Sequence, residues 1–419
     1  MKLLIRNGRV VDPKSGRDAL GDVFVADGKI AAGTGTPDRT IDAQGLVVAP
    51  GFIDLAARLR EPGYEYKATL ESEMDAAVAG GVTSLACPPD TDPPLDEPGL
   101  VDMLRRRAKA LSRARVYPVG ALTVKLAGQQ LTEMAELAES GCVAFSQANI
   151  PVADTQVLWR ALQYAATFGF PVWLRAEDAC LAKGGVAHDG EVATRLGLAG
   201  IPAFAETIAL AQLFELVRAT GARVHVCRIS SAAGVGMLRR ARHEGLPLTC
   251  DVGIHHLHLS DMDLGFFDSS CRLEPPLRSQ RDREALAAAL ADGTIDCAVS
   301  DHTPVDEDQK LLPFAEAEPG ATGLELLLPL TLKWGMERKL TLAQTLARIT
   351  SEPARVLGVA SGRIEPGAPG DLVLFDANAA WRVTSAALKS QGKNSPFLGM
   401  ELAGRVRATI VAGNVVHEA

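Results

Sequence analysis

An alternation in the middle of the chain narrows the possible folds more than any other feature. Short apolar runs recur there: TSLACPP, RVYPVGAL, CVAFSQ, PVWLRAED, RVHVCRIS, PLTCDV and DCAVSD, each about the length of a buried strand. Helical stretches separate most of them, among them ESEMDAAVAGG, LTEMAELAESG, QVLWRALQYAATFG and DREALAAALADG. Strands alternating with helices imply βαβ units and a parallel sheet. About eight such units over roughly 300 residues fit a (β/α)8 TIM-like barrel better than an open sheet, although periodicity alone does not separate the two.

The two ends of the chain read differently. LLIRNGRVVD carries a hairpin-like turn at Asn7-Gly8, and DVFVADGKIAA repeats the pattern at Asp27-Gly28. The far end mirrors this with GRIEPGAPGDLVLFD and with ATIVAGNVVHEA, a strand pair around Gly413-Asn414. The expected organisation is a small β-sandwich domain built from both termini, residues 1–50 and 355–419, around a barrel of residues 51–354.

Composition excludes several classes. With 419 residues, 47% of them hydrophobic, the chain can bury a large core. A formal charge of −8 argues against a nucleic-acid binder that needs a broad basic surface. The seven cysteines, Cys87, Cys142, Cys180, Cys227, Cys250, Cys271 and Cys297, are odd in number, scattered and without CxxC spacing. Reduced, mostly buried thiols fit that pattern better than disulfides or a zinc finger. MKLLIRNGRVVDP reaches polar residues too soon for a signal peptide, and no apolar stretch is long enough to span a membrane. A cytoplasmic location is expected.

In a barrel of this kind, chemistry sits at the C-terminal ends of the strands. The candidates there are Asp54 to Arg60, Pro88 to Asp92, Ser146 to Asn149, Arg175 to Asp178, Arg228 to Ser231, His255-His256 and Asp301-His302. Asp301, closing IDCAVSD, suits metal or proton binding. It suits equally a buried Asp held by an Arg. Of His255 and His256, neighbours on a strand point to opposite faces, so one is expected to be structural. Arg58, Arg60, Arg175 and Arg228 would converge on one cavity. Guanidinium offers donors only, so it holds carboxylates and cannot ligate a cation. Cys227 beside Arg228 reads as a core thiol, one residue off the inward register of its strand.

The run PGFIDLAARLREPG, residues 50–63, is similar to the signature that opens the barrel in dihydroorotases and related amidohydrolases. The resemblance continues in order through CPPDTDPP, GCVAFSQANIPV, RAEDACL, HVCRISSA, HHLHLSD, EPPLRSQRDREAL, GTIDCAVSDHTPVDEDQK and EPARVLGVASGRIEPGAPGDLVLFD. It covers nearly the whole chain and implies a zinc-dependent cyclic-amide hydrolase built as a (β/α)8 barrel with a small β-domain.

The departures are as informative. Where the resemblance puts the first two zinc-ligating His, the chain has Ala56 and Arg58. Gln147 and Ala148 stand where the bridging carboxylate belongs, and Arg175 and Arg228 replace two further His, leaving Asp301 alone of the ligand positions. A catalytic zinc takes three protein ligands, so no zinc is expected here. On the substrate side Arg60 is retained, while Asp90, Glu274 and Val305 replace the family's Asn, Asn and His. Arg58, Arg175 and Arg228 are expected to neutralise Asp301 and fill the former metal cavity.

The pattern resembles a subfamily of inactive dihydroorotase-like chains that bind aspartate transcarbamoylase and are needed for its assembly in pyrimidine biosynthesis. A non-catalytic assembly partner of that enzyme, itself oligomeric, is therefore the leading expectation. An active amidohydrolase with rearranged chemistry is the alternative, and a binding protein using the Arg-rich cavity for an anionic metabolite is the third.

Overall fold

The computed structural model describes residues 2–33 and 35–419. The chain opens with β1 (Lys2–Asp12), β2 (Arg17–Ala26) and β3 (Val47–Pro50). Eight strands of one parallel sheet follow: β4 (Phe52–Asp54), β5 (Val82–Cys87), β6 (Arg115–Ala121), β7 (Ala144–Ser146), β8 (Val172–Arg175), β9 (Val224–Cys227), β10 (Leu248–Gly253) and β11 (Cys297–Val299), with a separate two-stranded sheet of Ala187–His188 and Gly200–Ile201 between β8 and β9. β12 (Leu372–Arg382), β13 (Glu401–Val411) and β14 (Asn414–Glu418) close the chain.

Strands β4 to β11 pair in sequence order, all parallel, as the alternation requires. Every residue of β5 is buried, because helices cover one face and the barrel interior the other. The seam between β11 and β4 closes just beyond the strands. Arg58 N–H donates to His302 O at 2.9 Å, and His302 N–H donates to Ala56 O at 3.0 Å. Ser300 N–H donates to Asp54 Oδ1 at 2.9 Å across the same seam. Several helices start on side-chain caps (among them Thr69, Asp154, Ser231 and Ser279), which satisfy amides that would otherwise lack partners.

The terminal strands form one sheet in the order β14-β13-β12-β3-β1-β2, extended by short strands at Lys29–Ile30 and Arg39–Asp42. The sheet folds over until its ends meet, where Gly370 N–H donates to Gly28 O and Gly413 N–H to Gly370 O. A separate core fills it, including Leu3, Ile5, Val25, Leu372 and Ile410. The turns at Asp27-Gly28 and before Asn414 are as expected, but Asn7-Gly8 is not a turn. It is a bulge inside β1, where the β1–β2 register shifts between Ile5 and Gly8. A Cβ on Gly8 would lie 2.4 Å from Val48, so the glycine serves close packing and the hairpin turn falls later, before Arg17. No helix of the described residues is long and apolar enough to cross a membrane.

Candidate functional site

Among the non-glycine residues with left-handed backbone beyond the strand ends are Arg60 (φ 62°), Ala148 (φ 52°), Arg228 (φ 52°) and Asp301 (φ 47°). Such backbone costs on the order of 1–3 kcal/mol per residue and clusters where side chains must be aimed. Here it turns Arg228 and Asp301 toward each other across the barrel mouth.

The resulting network centres on Asn149. Its Oδ1 accepts from Arg58 Nη2 at 3.0 Å and from Arg228 Nη2 at 2.6 Å. Its Nδ2 donates to Glu274 Oε2 at 3.0 Å, and its backbone O accepts from Arg175 Nη2 at 2.9 Å. Arg228 Nη1 donates to Asp301 Oδ1 at 3.0 Å, with Arg58 Nη1 3.5 Å from the same oxygen. Arg58 Nε donates to Asp90 Oδ2 at 2.7 Å. Arg175 serves other acids, reaching Glu177 at 2.6 and 2.7 Å and Glu274 at 2.9 Å. Three buried guanidiniums are thus met by Asp301, Asp90, Glu177 and Glu274. The three Arg gather at the barrel mouth, but only Arg58 and Arg228 reach Asp301.

Electrostatics follow the geometry. Burial works against charge on Arg228, yet the carboxylates led by Asp301 more than offset it and raise its pKa. Burial likewise favours neutral Asp90, and Arg58 overcomes this to hold its carboxyl below the usual range. Asp90 and Glu274 are therefore both paired with guanidiniums.

Beneath the network a cavity of about 20 Å³ is lined by Ala56, Arg58, Trp173, Cys227 and Arg228, among others. One water needs roughly 10–15 Å³ by this measure, whereas small-molecule sites run to roughly 300–1,000 Å³. Cys227 faces this interior, contrary to the register expected from sequence. Burial pushes its thiol well above the ordinary value, so it is a protonated core group and no nucleophile.

Other candidates lie apart from the network. Gln147 is turned into the loop after β6: it accepts from Thr123 Oγ1 at 3.0 Å and donates to Leu126 O at 2.7 Å. Arg60 does not converge with the other three; its Nε donates to Pro304 O at 2.8 Å and its Nη2 lies 3.5 Å from Glu318. Val305 is buried, its N–H donating to Asn394 Oδ1 at 3.1 Å. His255 and His256 sit in a 3-10 turn, Ile254–Leu257, instead of on a strand. His255 stacks on Phe397 at 5.6 Å, and His256 Nε2 donates to Pro275 O at 3.1 Å. His302 points away from the mouth: its Nδ1 accepts from Gly323 N–H at 3.1 Å and its Nε2–H donates to Glu73 at 2.6 Å. Sequence reasoning placed Asn149 and Glu177 among the strand-end candidates without giving either a role. A neutral acceptor amid four Arg was the available signal.

These donors do not fit a zinc centre. Around Asp301 the nearest groups are guanidiniums, and the bridging position is turned away as Gln147. His225, Cys227 and Asp251 do place three ligand atoms within 4.8 Å of one another. His225 Nε2 is already bonded to Asp251 Oδ2 at 2.8 Å, and Asp251 Oδ1 accepts from Arg228 N–H at 2.6 Å. A cation there would break that pairing and deprotonate a buried thiol beside Arg228.

Residues 45–233 match the Dihydro-orotase-like family, and residues 172–417 match the Amidohydrolase family. A dihydroorotase-like protein of Pseudomonas aeruginosa is 45% identical, covering 100% of both chains, and one of Pseudomonas putida is 44% identical over 100% and 99%. A dihydroorotase of Geobacter sp. (strain M21) is 42% identical over 100% of both. Among solved structures, an L-hydantoinase from Arthrobacter aurescens superposes with a TM-score of 0.87 at 26% identity, covering 99% of this chain and 96% of that one. The chain belongs to the dihydroorotase-like amidohydrolase family.

Proposed function

We propose that this protein is a non-catalytic dihydroorotase homologue serving as assembly partner of an aspartate transcarbamoylase catalytic chain in the cytoplasm. The observation that carries the loss of catalysis is the bonding of Arg228 to Asp301 at 3.0 Å, with Arg58 at 3.5 Å. Two guanidiniums occupy the space where this chemistry needs a metal-held hydroxide, and the cavity of about 20 Å³ beneath them has room for no more than a water. The assembly role rests on the resemblance to inactive chains of that kind. It gains support from the relatives named dihydroorotase-like at 44–45% identity.

The test has two arms. Metal analysis with a dihydroorotate assay on purified protein is expected to give substoichiometric zinc and no turnover. Co-expression with the transcarbamoylase is expected to give one large complex whose activity requires this chain. Stoichiometric zinc with turnover overturns the first arm, and a transcarbamoylase fully active alone overturns the second.

An active cyclic amidohydrolase is the second reading, favoured by relatives named dihydroorotase at 42% identity across both full lengths. The turnover arm decides between them. A site for an anionic metabolite at the barrel mouth is disfavoured, because the protein's own carboxylates already take up those guanidiniums.

A further inference from the structure

Away from the barrel mouth, where the terminal sheet meets the outer helices, lies a cavity of about 380 Å³. It shares no lining residue with the Arg58–Arg228 network, and its size falls within the roughly 300–1,000 Å³ of small-molecule sites.

Two backbone features shape it. Gly404, at φ +104°, lies where a Cβ would come 2.7 Å from Leu332, so the absent side chain lets β13 pack on the helix Leu327–Glu337. Opposite, the pairing of β12 with β13 jumps from Asp376–Arg405 to Ala380–Ala403, a bulge in β12. Asp376 Oδ1 holds that bulge by accepting from the N–H groups of Asn378 (2.9 Å) and Ala379 (3.1 Å). Bulges of this kind re-aim the side chains that follow them. Those side chains are Trp381, whose Nε1–H is pinned to Gly404 O at 3.2 Å, and Arg382; both line the cavity.

Arg405 and Lys389 complete a set of three cations around Trp381. Among the described residues none of the three makes an ion pair or a side-chain hydrogen bond. Glu325 is the acid in the wall, but its two oxygens already accept from the N–H groups of Lys389 (2.7 Å) and Ser390 (3.1 Å). The barrel mouth matches each guanidinium with an acid; here three cations share one concavity and keep their donors free.

We propose that this cavity binds a mononucleotide, its base against the Trp381 ring and its phosphate held by Arg382, Lys389 and Arg405. Three separated cations suit a dianion with several acceptor oxygens, and an indole suits a flat ring. No bond is made or broken.

Isothermal titration of the full-length protein tests this with UMP and AMP, against uridine, ribose 5-phosphate and inorganic phosphate. At least one monophosphate is expected to bind saturably below about 1 mM, and each fragment at least about tenfold more weakly. Arg405→Ala should weaken binding about tenfold or more at an unchanged melting temperature; Trp381→Ala should weaken it about as much, with a lowered melting temperature because the indole packs on the core and bonds Gly404 O. Arg382→Glu, at an exposed position, should abolish binding should Trp381→Ala not fold. No saturable binding of either monophosphate overturns the proposal. So does binding that both variants retain within about twofold, or inorganic phosphate binding equally well (an unspecific anion site).

Discussion

The Arg228 guanidinium donates to the Asp301 carboxylate at 3.0 Å, joining the end of β9 to the residue beyond β11 across the barrel mouth. A buried carboxylate there needs positive charge beside it, because an unpaired ion in a low-dielectric interior is costly. A metal would supply that charge together with a reactive oxygen. Arg228 and Arg58 supply the charge and bring only N–H donors. On the proposed reading, arginines standing in for a metal keep that carboxylate neutralised and leave no group that can attack an amide.

Arg228→Ala should therefore destabilise the protein by about 3 kcal/mol, since Asp301 keeps only Arg58 at 3.5 Å. Arg228→Met combined with Asp301→Asn should cost less than the sum of the single changes, by about 1–3 kcal/mol. Urea unfolding of the four proteins measures this. Strict additivity would show that the two residues do not depend on each other.

Asn149 Oδ1 accepts from two guanidiniums, and its amide donates to Glu274. Asn149→Ala removes all three side-chain bonds at once and leaves buried donors unmatched. The expected loss is about 2 kcal/mol in urea unfolding, although no apolar contact of note disappears. A change below about 0.5 kcal/mol would mean that the guanidiniums find other acceptors.

The barrel was legible because its strands are buried on both faces and its helices are amphipathic, both of which leave periodic marks in the sequence. The Arg substitutions were legible by residue type alone, since guanidinium cannot ligate a metal wherever it points. Direction was not legible. Gln147 turns to Thr123 and Leu126, and Arg60 is drawn off by Pro304 and Glu318, partners far away in the chain. Asn7-Gly8 carries the local chemistry of a turn, yet contact with Val48 and a bond from Asn7 to Asp42 make it a bulge. Cys227 was misplaced for a related reason: register depends on where β9 starts, and its neighbours set that.

The thiols give a check on the packing beneath Arg58 and Arg228. Cys180 is exposed, whereas Cys87, Cys142, Cys250, Cys271 and Cys297 are buried and Cys227 is partly so. Burial raises the thiols of Cys87 and Cys142 to about 12 and that of Cys227 well above normal. A thiol-specific chromogenic reagent at pH 8 should label Cys180 alone quickly and the others only on unfolding, because the thiolate is the reactive form. Rapid labelling of Cys227, located by peptide mapping, would mean that the cavity beneath Arg58 and Arg228 opens to solvent.

Buried histidines contribute to acid sensitivity. Burial lowers His255 and His258 to about 4, and neither ring nitrogen of His255 has a hydrogen-bond partner. Both groups titrate near 6.5 in the unfolded chain. Between those values the unfolded state takes up protons that the folded state refuses, so stability falls as pH drops from 6.5 toward 4. Above 6.5 both states are neutral there and the contribution is flat. Each group should cost about 2 kcal/mol between pH 7 and pH 5, at about 1.4 kcal/mol per unit below 6.5. His255→Leu should leave stability near wild type at pH 7, since the ring packs on Phe397 without hydrogen bonds, and should flatten the pH profile by its share. Urea midpoints at pH 7, 6 and 5 measure both. An unchanged slope in His255→Leu would place the acid sensitivity elsewhere, first of all at His258.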